Sequence, residues 1–317
     1  MSLSKNATRR LQNAMRGTRA AQEVIDRLGA VGLTGDVFYY DPTSGSDLND
    51  GTRSDQAKAT LNAAIGLCTA NNGDVIVNMR GTETVTETVA FDVAGITVIP
   101  QDYGQMLESF GEMNALLADT TFTDGPVATI TAACTIIGMG FVSRDTGATF
   151  WSGAAALIGG LTTASPFGVH MYGCRFPKWG LDNRTGLSIE GGSDIHIENC
   201  YFEGVGADFG QGIYLQGAAQ NIEISHCRFT DCDYALELGA FAGSGPYLDF
   251  HHNRIIGADS KGINTQANTA VGLIWHNWFN TDSGNTTHDR TIAQLETQGL
   301  IQTDNHFATE AVGESRT

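Results

Sequence analysis

The feature that most constrains this chain is a short pattern that returns along its second half. The pattern reads apolar, any, apolar, any, any, Cys or Asn, any, then aromatic or apolar, and Val169, Met171, Cys174 and Phe176 form its first clear copy. A repeat of roughly 20–50 residues is the signature of a solenoid, in which each unit stacks on its neighbours. The column of the pattern that holds Cys or Asn contains, in chain order, Cys174, Cys200, Cys227, Asn253, Asn277 and Asn305.

A second short strand is predicted between successive copies. The segments from Gly186 to Gly191 and from Gly212 to Gly217 both read Gly, apolar, any, apolar, any, Gly. Two or three short strands per unit are typical of a β-helix, whereas a leucine-rich repeat would require a Leu-rich helix in each unit, and the sequence shows none. The repeat therefore predicts an all-β fold, a right-handed, single-stranded parallel β-helix over residues 75–308.

Stacking accounts for the residue types in the columns. Neighbouring coils lie about 4.8 Å apart and side chains alternate inward and outward, so Ile, Val and Phe fill the interior. Asn in a tight corner can bond both the backbone and the Asn of the next coil. Cys fits the same corner as a small apolar residue. No CxxC pair occurs among the six cysteines, and we expect them to be reduced and buried.

Residues 34–74 lead into the repeats with a distinct order of motifs. The apolar run VFYY at 37–40 ends in Asp-Pro, and GSDLNDG, ATLNAAI and GDVIVNMRGT follow. This order resembles the N-terminal region of pectate-lyase-like right-handed β-helix proteins, and the resemblance extends over roughly residues 37–308. It implies that an amphipathic helix, at about Gln56 to Ala70 here, caps the open end of the solenoid. Asp47, Asn49 and Asp50 have a loose calcium-loop character without EF-hand spacing, so we expect turn stabilisation.

Residues 1–33 are predicted to form a basic helical arm. Residues 1–32 hold six basic and two acidic groups, a net charge of +4. Because the whole chain has a net charge of −17, the rest of the chain has a net charge of −21. Apolar or small residues recur every three or four positions in this segment, at Leu11, Ala14, Thr18, Ala21, Ile25 and Leu28. This seam is consistent with a short coiled coil, and equally with an amphipathic helix that lies on the body or on a partner. We predict that the arm anchors the protein through Lys5, Arg9, Arg10, Leu11, Met15, Arg16 and Arg19.

The sequence contains no recognisable export or membrane signal. Arginines at positions 9, 10, 16 and 19 interrupt the stretch where a signal peptide needs an apolar run, and no apolar window is long enough for a membrane span. We therefore expect assembly in a host cytoplasm and no membrane partner. The acidic body also argues against nucleic-acid binding. Residues 309–317 form a polar tail.

Two outward columns flank the Cys/Asn column and are candidates for binding. The preceding column includes His226, His252 and His276, which we interpret as a turn or surface column in preference to a metal site, because stacked ligands point the same way. No metal or cofactor is therefore predicted. The following column is an oligomer contact or a glycan contact, since Arg and aromatic side chains serve both, and it contains Arg175, Tyr201, Arg228, Arg254, Trp278 and finally His306.

Candidate catalytic residues are weaker. Glycoside hydrolysis needs two carboxyl groups about 5–10 Å apart, whereas a lyase needs a basic residue with groups that neutralise a uronate. No P-loop, GxGxxG, GxSxG or HExxH motif is present. The best acidic cluster, with one nearby lysine, consists of Asp231, Asp233, Glu237, Asp208, Asp249 and Lys261.

A basic arm followed by a β-helix, with no export signal, resembles tailed-phage structural proteins. The resemblance implies a virion protein, most readily a capsid decoration protein, that is a homotrimer and binds the major capsid protein or another virion protein. A tail-spike position, with a host surface glycan as partner, is also consistent with this organisation. The alternatives are a polysaccharide lyase or glycoside hydrolase, and a carbohydrate-binding module; an enzyme is the less favoured class.

Overall fold

The computed structural model describes residues 35–79, 81–101, 114–122, 125–143, 154–160, 165–177, 185–204, 210–241, 245–257, 261–265, 270–281 and 299–309. The predicted arm at 1–33 and the polar tail after 309 lie outside these residues. No described helix is long and apolar enough to cross a membrane.

The described chain consists almost entirely of short parallel strands. In its first half these are β1 Val37–Tyr40, β2 Val75–Asn78, β3 Thr82–Val85, β4 Val89–Phe91, β5 Ile96–Pro100, β6 Ala115–Ala118, β7 Ala128–Ile130, β8 Cys134–Ile137, β9 Gly140–Val142, β10 Ala154–Ile158, β11 Phe167–Tyr172 and β12 Arg175–Pro177. In its second half they are β13 Thr185–Glu198, β14 Tyr201–Glu203, β15 Gln211–Ser225, β16 Arg228–Thr230, β17 Tyr234–Phe241, β18 Tyr247–His251, β19 Arg254–Ile256, β20 Lys261–Asn264, β21 Val271–Trp275, β22 Trp278–Thr281, β23 Leu300–Thr303 and β24 His306–Thr309.

These strands form three faces around one interior, and the strands within each face run parallel to one another. The first face runs β1-β2-β5-β8-β11-β13-β15-β18-β21-β23, and the second runs from β3 to β24 through β6, β9, β12, β14, β16, β19 and β22. The third face contains β4, β7, β10, β17, β20 and the first halves of β13 and β15, which bend and continue into the first face. The fold is the predicted right-handed parallel β-helix.

The sequence repeat and the strand register coincide. Val169 pairs with Ile195, Ile195 with Ile222, and Ile222 with Leu248, so the first apolar column is one inward stack. The aromatic column is a second stack, in which the rings of Phe176 and Phe202 lie 4.6 Å apart and almost parallel. Both stacks belong to one continuous buried core.

Glycine in the third face makes room for the aromatic stack. A Cβ on Gly212 would lie 2.6 Å from the Phe229 ring, and a Cβ on Gly262 would lie 2.6 Å from the Phe279 ring. In the coil between them, Ile255 replaces Phe, and Ala235 occupies the position of the glycine. The size of the residue in one strand is therefore matched to the size of the residue across the core.

The predicted helix at about Gln56 to Ala70 is much shorter than the pattern indicated. A single turn of 3-10 helix spans Ser54–Gln56, and the helix α1 spans only Leu61–Ile65. The residues between them are extended, because the backbone N–H of Lys58 donates to the carbonyl of Tyr39 in β1. The Thr60 side chain then caps α1 by accepting from the Ala63 N–H.

The loop after β1 is stabilised by its own acidic side chains. Asp47 Oδ1 accepts hydrogen bonds from the backbone N–H groups of Ala59 and Thr60, which hold the start of α1 against the loop. The buried Glu83 carboxylate accepts from the Tyr40 hydroxyl at 2.5 Å and from the Leu61 N–H at 3.1 Å. The Asp47 bonds give the GSDLNDG segment the turn-stabilising role that was expected of it.

Candidate binding surface

The corner between the first and second faces is built by one residue per coil in the left-handed backbone region. Asn199, His226, His252, His276 and Asp304 all have φ between 53° and 55°. This conformation turns the chain sharply and places the next residue, Cys or Asn, inside the corner. The side chains of the left-handed residues consequently lie on the outside in one line.

The inside of the corner is a ladder made of two chemical types. Asn277 Oδ1 accepts from the backbone N–H of Asn253, and Asn277 Nδ2 donates to the Phe250 carbonyl, both at 2.9 Å. In the cysteine part of the ladder, Cys227 Sγ contacts the Ile197 carbonyl at 3.4 Å, which is the equivalent group one coil away. The six cysteines all lie in the described part of the chain and form no disulfide.

The predicted contact residues form an ordered row on the second face. Arg175 is in register with Tyr201, Tyr201 with Arg228, Arg228 with Arg254, Arg254 with Trp278, and Trp278 with His306. We call these six residues, which are exposed or half-buried, the Arg/aromatic row: Arg175, Tyr201, Arg228, Arg254, Trp278 and His306. The structure brings them together as the repeat predicted, while their role as an oligomer or glycan contact stays a prediction.

The first three members of the row are stacked on each other. The Cζ atoms of Arg175 and Arg228 lie 5.9 Å and 5.5 Å from the centre of the Tyr201 ring. Guanidinium groups over an aromatic ring are held by cation–π attraction. A cleft of about 360 Å³ opens beside this stack and is lined by Arg175, Tyr201 and Arg228 together with Asn199 and His226 of the corner.

A group of imidazole rings occupies the adjacent corner and first face. The rings of His226 and His252 stack at 5.0 Å, and His252 contacts His276 at the same distance. The His251 ring stacks on Trp275 at 4.7 Å. Burial, followed by the neighbouring histidines, lowers the pKa of His252. No set of three His, Cys, Asp or Glu side chains within the described ranges has the arrangement of a metal site.

Two of the described acidic candidates, Glu237 and Asp249, lie on different faces. Glu237 lies on β17, in register with Tyr214, whereas Asp249 lies on β18, in register with Glu223. Positions 214 and 223 lie in the two halves of β15 that belong to the third and the first face, so Glu237 and Asp249 are carried by different faces.

The remaining acidic candidates occupy other positions. Asp231 and Asp233 lie in the turn between β16 and β17, and Asp249 accepts a hydrogen bond from Trp275 Nε1 at 2.7 Å. Asp208 and the side chain of Lys261 lie outside the described residues. The catalytic role assigned to this set stays a prediction; its described acidic members lie on the third face, on the first face and in the turn between β16 and β17.

A buried polar group on the third face surrounds Glu237, which is the one member that the sequence analysis had singled out. Ser188, Tyr214, Glu237 and Asn264 are in register on four neighbouring strands, and Asn264 Nδ2 donates to Glu237 Oε1 at 2.9 Å. Glu190 lies beside them and its carboxylate accepts from Gln216 Nε2 at 3.3 Å. Burial raises the pKa of Glu190. The sequence did contain a signal for this group, because the positions that alternate with the apolar residues in the two Gly-to-Gly segments all carry polar side chains: Ser188, Glu190, Tyr214 and Gln216.

Together the three faces and the corner ladder define a parallel β-helix. The family profile described as "Right handed beta helix region" matches residues 159–309. No curated protein sequence matches the chain at a significant level.

Solved structures of similar shape include both enzymes and a virus protein. A GH136 lacto-N-biosidase from Eubacterium ramulus has 11% identity and a TM-score of 0.41, covering 92% of this chain and 70% of its own. A rhamnogalacturonan lyase has 14% identity and a TM-score of 0.45, with 89% of each chain covered. ORF18 of Geobacillus virus E2 has 15% identity and a TM-score of 0.37, covering 95% of this chain and 66% of its own. These likenesses concern the fold alone.

Proposed function

We propose that this chain is a bacteriophage structural protein, a capsid decoration protein held by its N-terminal arm with the β-helix projecting from the particle. The observation that carries the proposal is the position of β1. This strand is the terminal strand of the first face, and the chain reaches it at residue 37, directly after the basic arm. An anchor at residues 1–33 is therefore attached at the end of the solenoid where β1 lies.

The division of charge supports the same arrangement. The arm has a net charge of +4 and the rest of the chain −21, so an acidic particle surface attracts the first and repels the second. The partner in this proposal is the major capsid protein or another virion protein, and assembly takes place in the host cytoplasm. We include the homotrimer in the proposal, with the seam of the arm at its axis.

Binding of purified protein to particles that lack it tests the anchor. The variant R9Q/R10Q/R16Q/R19Q should sediment with particles at least about tenfold less than the unaltered protein, because four charged contacts are removed. Arg53 is exposed and pairs with Asp55 on the body, so R53Q is the matched control and should bind normally. Equal binding of the fourfold variant would exclude the arm as the anchor.

Cryo-electron microscopy of the virion tests the placement. Rod-shaped density on the capsid, in contact with capsid protein at the end where β1 lies, is the expected result. Density confined to the tail would assign the protein to a tail spike, and virions without it would exclude a structural role.

A carbohydrate-active enzyme is the second candidate, favoured by the polar group on the third face. Tyr214 lies in register between Ser188 and Glu237, and its pKa is raised by burial and by the carboxylates of Glu237 and Glu190. Burial also raises the pKa of the Glu190 carboxyl group, and a titratable group with a perturbed pKa is common at active sites. Cleavage of a glycan by the full chain, abolished in E190Q and E237Q, would establish this activity; intact glycans after incubation with folded protein would remove it.

A further inference from the structure

We propose that the histidines at the outer corner of the late coils form a pH-sensitive switch, which joins these coils at neutral pH and releases their outer contacts when protons are taken up. The switch consists of four residues that we call the imidazole group: His226, His251, His252 and His276. This inference goes beyond the proposed function and does not rest on it, because it concerns the coils of the free protein.

The switch depends on one hydrogen bond between two imidazole rings. His251 Nδ1 and His252 Nδ1 lie 2.9 Å apart, a distance that requires a proton on one nitrogen and none on the other. On its other side, the His251 ring places Nε2 3.3 Å from Glu223 Oε1. A carboxylate only accepts, so Nε2 carries a proton, and in the neutral ring Nδ1 accepts the bond from the Nδ1–H of His252.

Only one additional proton fits into this arrangement. A proton added at His251 Nδ1 is accommodated when His252 carries its own proton at Nε2, because Nδ1 of His252 then accepts the bond. A second proton leaves both rings with two N–H groups and no acceptor, so the two Nδ1 atoms repel each other. Since the His251 side chain is only 12% exposed and His252 is on the surface, the His252 ring is the one that moves outward.

The neighbours of His252 oppose its protonation. The rings of His226 and His276 lie on either side of it with centres 5.0 Å away, and the His251 ring lies 5.1 Å away. Burial, followed by positive charge on these three rings, lowers the pKa of His252. The folded protein therefore binds fewer protons there than the unfolded chain, and this site loses stability as the pH falls below about 6.5, the ordinary His pKa.

Carboxylates near the imidazole group limit this effect without cancelling it. The charged and titratable groups that face the imidazole group are Glu223 on β15, Asp249 on β18, Asp304 after β23 and Arg228 on β16, with His196 and Asp194 of β13 beyond Glu223. Asp249 favours the charged form of His252, but less than burial and the three rings oppose it. Asp249 also accepts from Trp275 Nε1 at 2.7 Å, so its charge is shared with the indole.

Proton uptake loosens the outside of the corner and leaves the inside intact. The backbone N–H groups of His226, His252 and His276 donate to the next coil at 3.2–3.3 Å, longer than the 2.9 Å of the bond from the Arg254 N–H. Contacts among the imidazole rings and Trp275 therefore supply part of the connection between coils at the outer corner. The asparagine amides inside the corner do not titrate, so they keep the coils in register while the outer contacts open.

Trp275 gives the switch a spectroscopic reporter. Its ring stacks on His251 at 4.7 Å and lies 4.9 Å from His252 and 4.8 Å from His276. The fluorescence of an indole in contact with imidazole changes when the imidazole is protonated or moves away. The difference between the emission of the unaltered protein and that of W275F isolates this residue from the other tryptophans of the chain.

A fluorescence titration of the full chain from about pH 7.5 to about pH 4.5 tests the inference. The Trp275 signal should change reversibly with a midpoint between about pH 5 and 6.5, while the far-UV circular dichroism stays constant. H252N removes one titrating ring and keeps a residue type that tolerates the left-handed backbone. The change should be at least about threefold smaller in this variant, and H251Q, which removes the other partner of the bond, should have the same effect.

H170Q is the matched control. His170 lies on the first face, outside the imidazole group, and its Nε2 is 3.6 Å from Glu198, much as His251 is placed beside Glu223. Its removal should leave the Trp275 titration unchanged. An equal loss of the signal in H170Q would overturn the assignment of the switch to the four corner residues.

Hydrogen exchange read by mass spectrometry locates the release. After correction for the intrinsic pH dependence of exchange, peptides that contain residues 251–252 and 275–276 should exchange at least about tenfold faster at about pH 5 than at about pH 7.5. In H252N the two rates should agree. The switch is overturned by a constant Trp275 signal, by an undiminished change in H252N and H251Q, by equal protection at both pH values, or by a simultaneous loss of circular dichroism, which would mean global acid unfolding.

Discussion

The two halves of the corner ladder solve the same problem with different side chains. In the later coils Asn253, Asn277 and Asn305 each donate from Nδ2 to a backbone carbonyl of the preceding coil at 2.9 Å. In the earlier coils Cys200 and Cys227 direct Sγ at the equivalent carbonyls of Met171 and Ile197, at 3.6 Å and 3.4 Å. The thiol reproduces the donor of the amide with a weaker bond.

The asparagine and cysteine parts of the ladder differ in whether the side chain also accepts a hydrogen bond. Each Asn Oδ1 also accepts a backbone N–H from the preceding coil, as Asn253 does from Cys227 at 2.8 Å, and sulfur is a poor substitute for this oxygen. The asparagine coils are therefore joined by two strong bonds at the corner, whereas the cysteine coils depend more on packing. Both residue types thus supply a small buried donor at the corner, and only asparagine supplies an acceptor as well.

The largest expected effect concerns the reactivity of the buried thiols. Burial raises the pKa of Cys134 and of Cys232 to about 12, and that of Cys174 and Cys200 well above its ordinary value. Alkylation of these thiols at pH 8 should be at least about 1,000-fold slower in the native protein than in the unfolded chain, because the thiolate is the reactive form. Mass spectrometry of timed samples measures this, and rapid native labelling of Cys200 would contradict a packed cysteine corner.

Removing an amide from the ladder should cost the most stability. Asn277→Ala leaves the Asn253 N–H and the Phe250 carbonyl buried without partners, and we expect the free energy of unfolding to fall by about 3 kcal/mol. Denaturant titration of the full chain measures this change. Gln220→Ala removes an exposed amide on β15 and should change stability by less than about 0.5 kcal/mol. A similar loss in both variants would show that the buried bonds contribute little.

Truncating a thiol should cost less than truncating an amide. Cys200→Ala is expected to lower the free energy of unfolding by about 1 kcal/mol, since it removes a weak donor and a small buried volume. Cys200→Asn places an amide within the cysteine part of the ladder, and it should leave stability within about 1 kcal/mol of the original value. If C200N destabilises as strongly as N277A, the two residue types are not interchangeable in this column.

The smallest effect is predicted outside the ladder, at the buried carboxyl group of the third face. The pKa of Glu190 is raised in the folded state, mainly by burial, so the folded protein binds more protons there than the unfolded chain. The free energy of unfolding should therefore fall as the pH rises from about 4.3, the ordinary Glu pKa, through the raised value. E190Q removes the titrating group, so the free energy of unfolding of this variant should fall less over this pH range. The difference between the two proteins should be smaller than the loss of about 1 kcal/mol expected for C200A. Identical pH dependence in both proteins would show that Glu190 is ionised without penalty.

The repeat allowed most of the β-helix to be predicted because each column has one requirement. The positions that face inward in β11, β13, β15 and β18 follow directly from the alternation of apolar residues, and the corner follows from Cys or Asn. The register of the Arg/aromatic row was a consequence of the same alignment. Repetition thus supplied information about distant contacts that a single copy does not contain.

Features without a period were harder to predict. The helix between Gln56 and Ala70 was predicted too long, because the apolar spacing does not reveal that Lys58 bonds to Tyr39. The sequence grouped Glu237 with Asp249, which lie on different faces, since sequence proximity does not show that β15 passes from the third face to the first. Apart from Glu237, the polar group around Glu190 was not predicted, because its side chains alternate with the core positions and the alternation does not indicate that outward residues are buried.

The left-handed corner also bears on how such a protein can change. The backbone there requires only that φ be positive, and the chain already satisfies it with Asn199, His226, His252, His276 and Asp304. Since each coil contacts mainly its neighbours, the outer residue of one coil can be exchanged, or a whole coil duplicated, with little disturbance elsewhere. The rod can thus lengthen or acquire a new surface chemistry by small genetic steps while its interior stays the same.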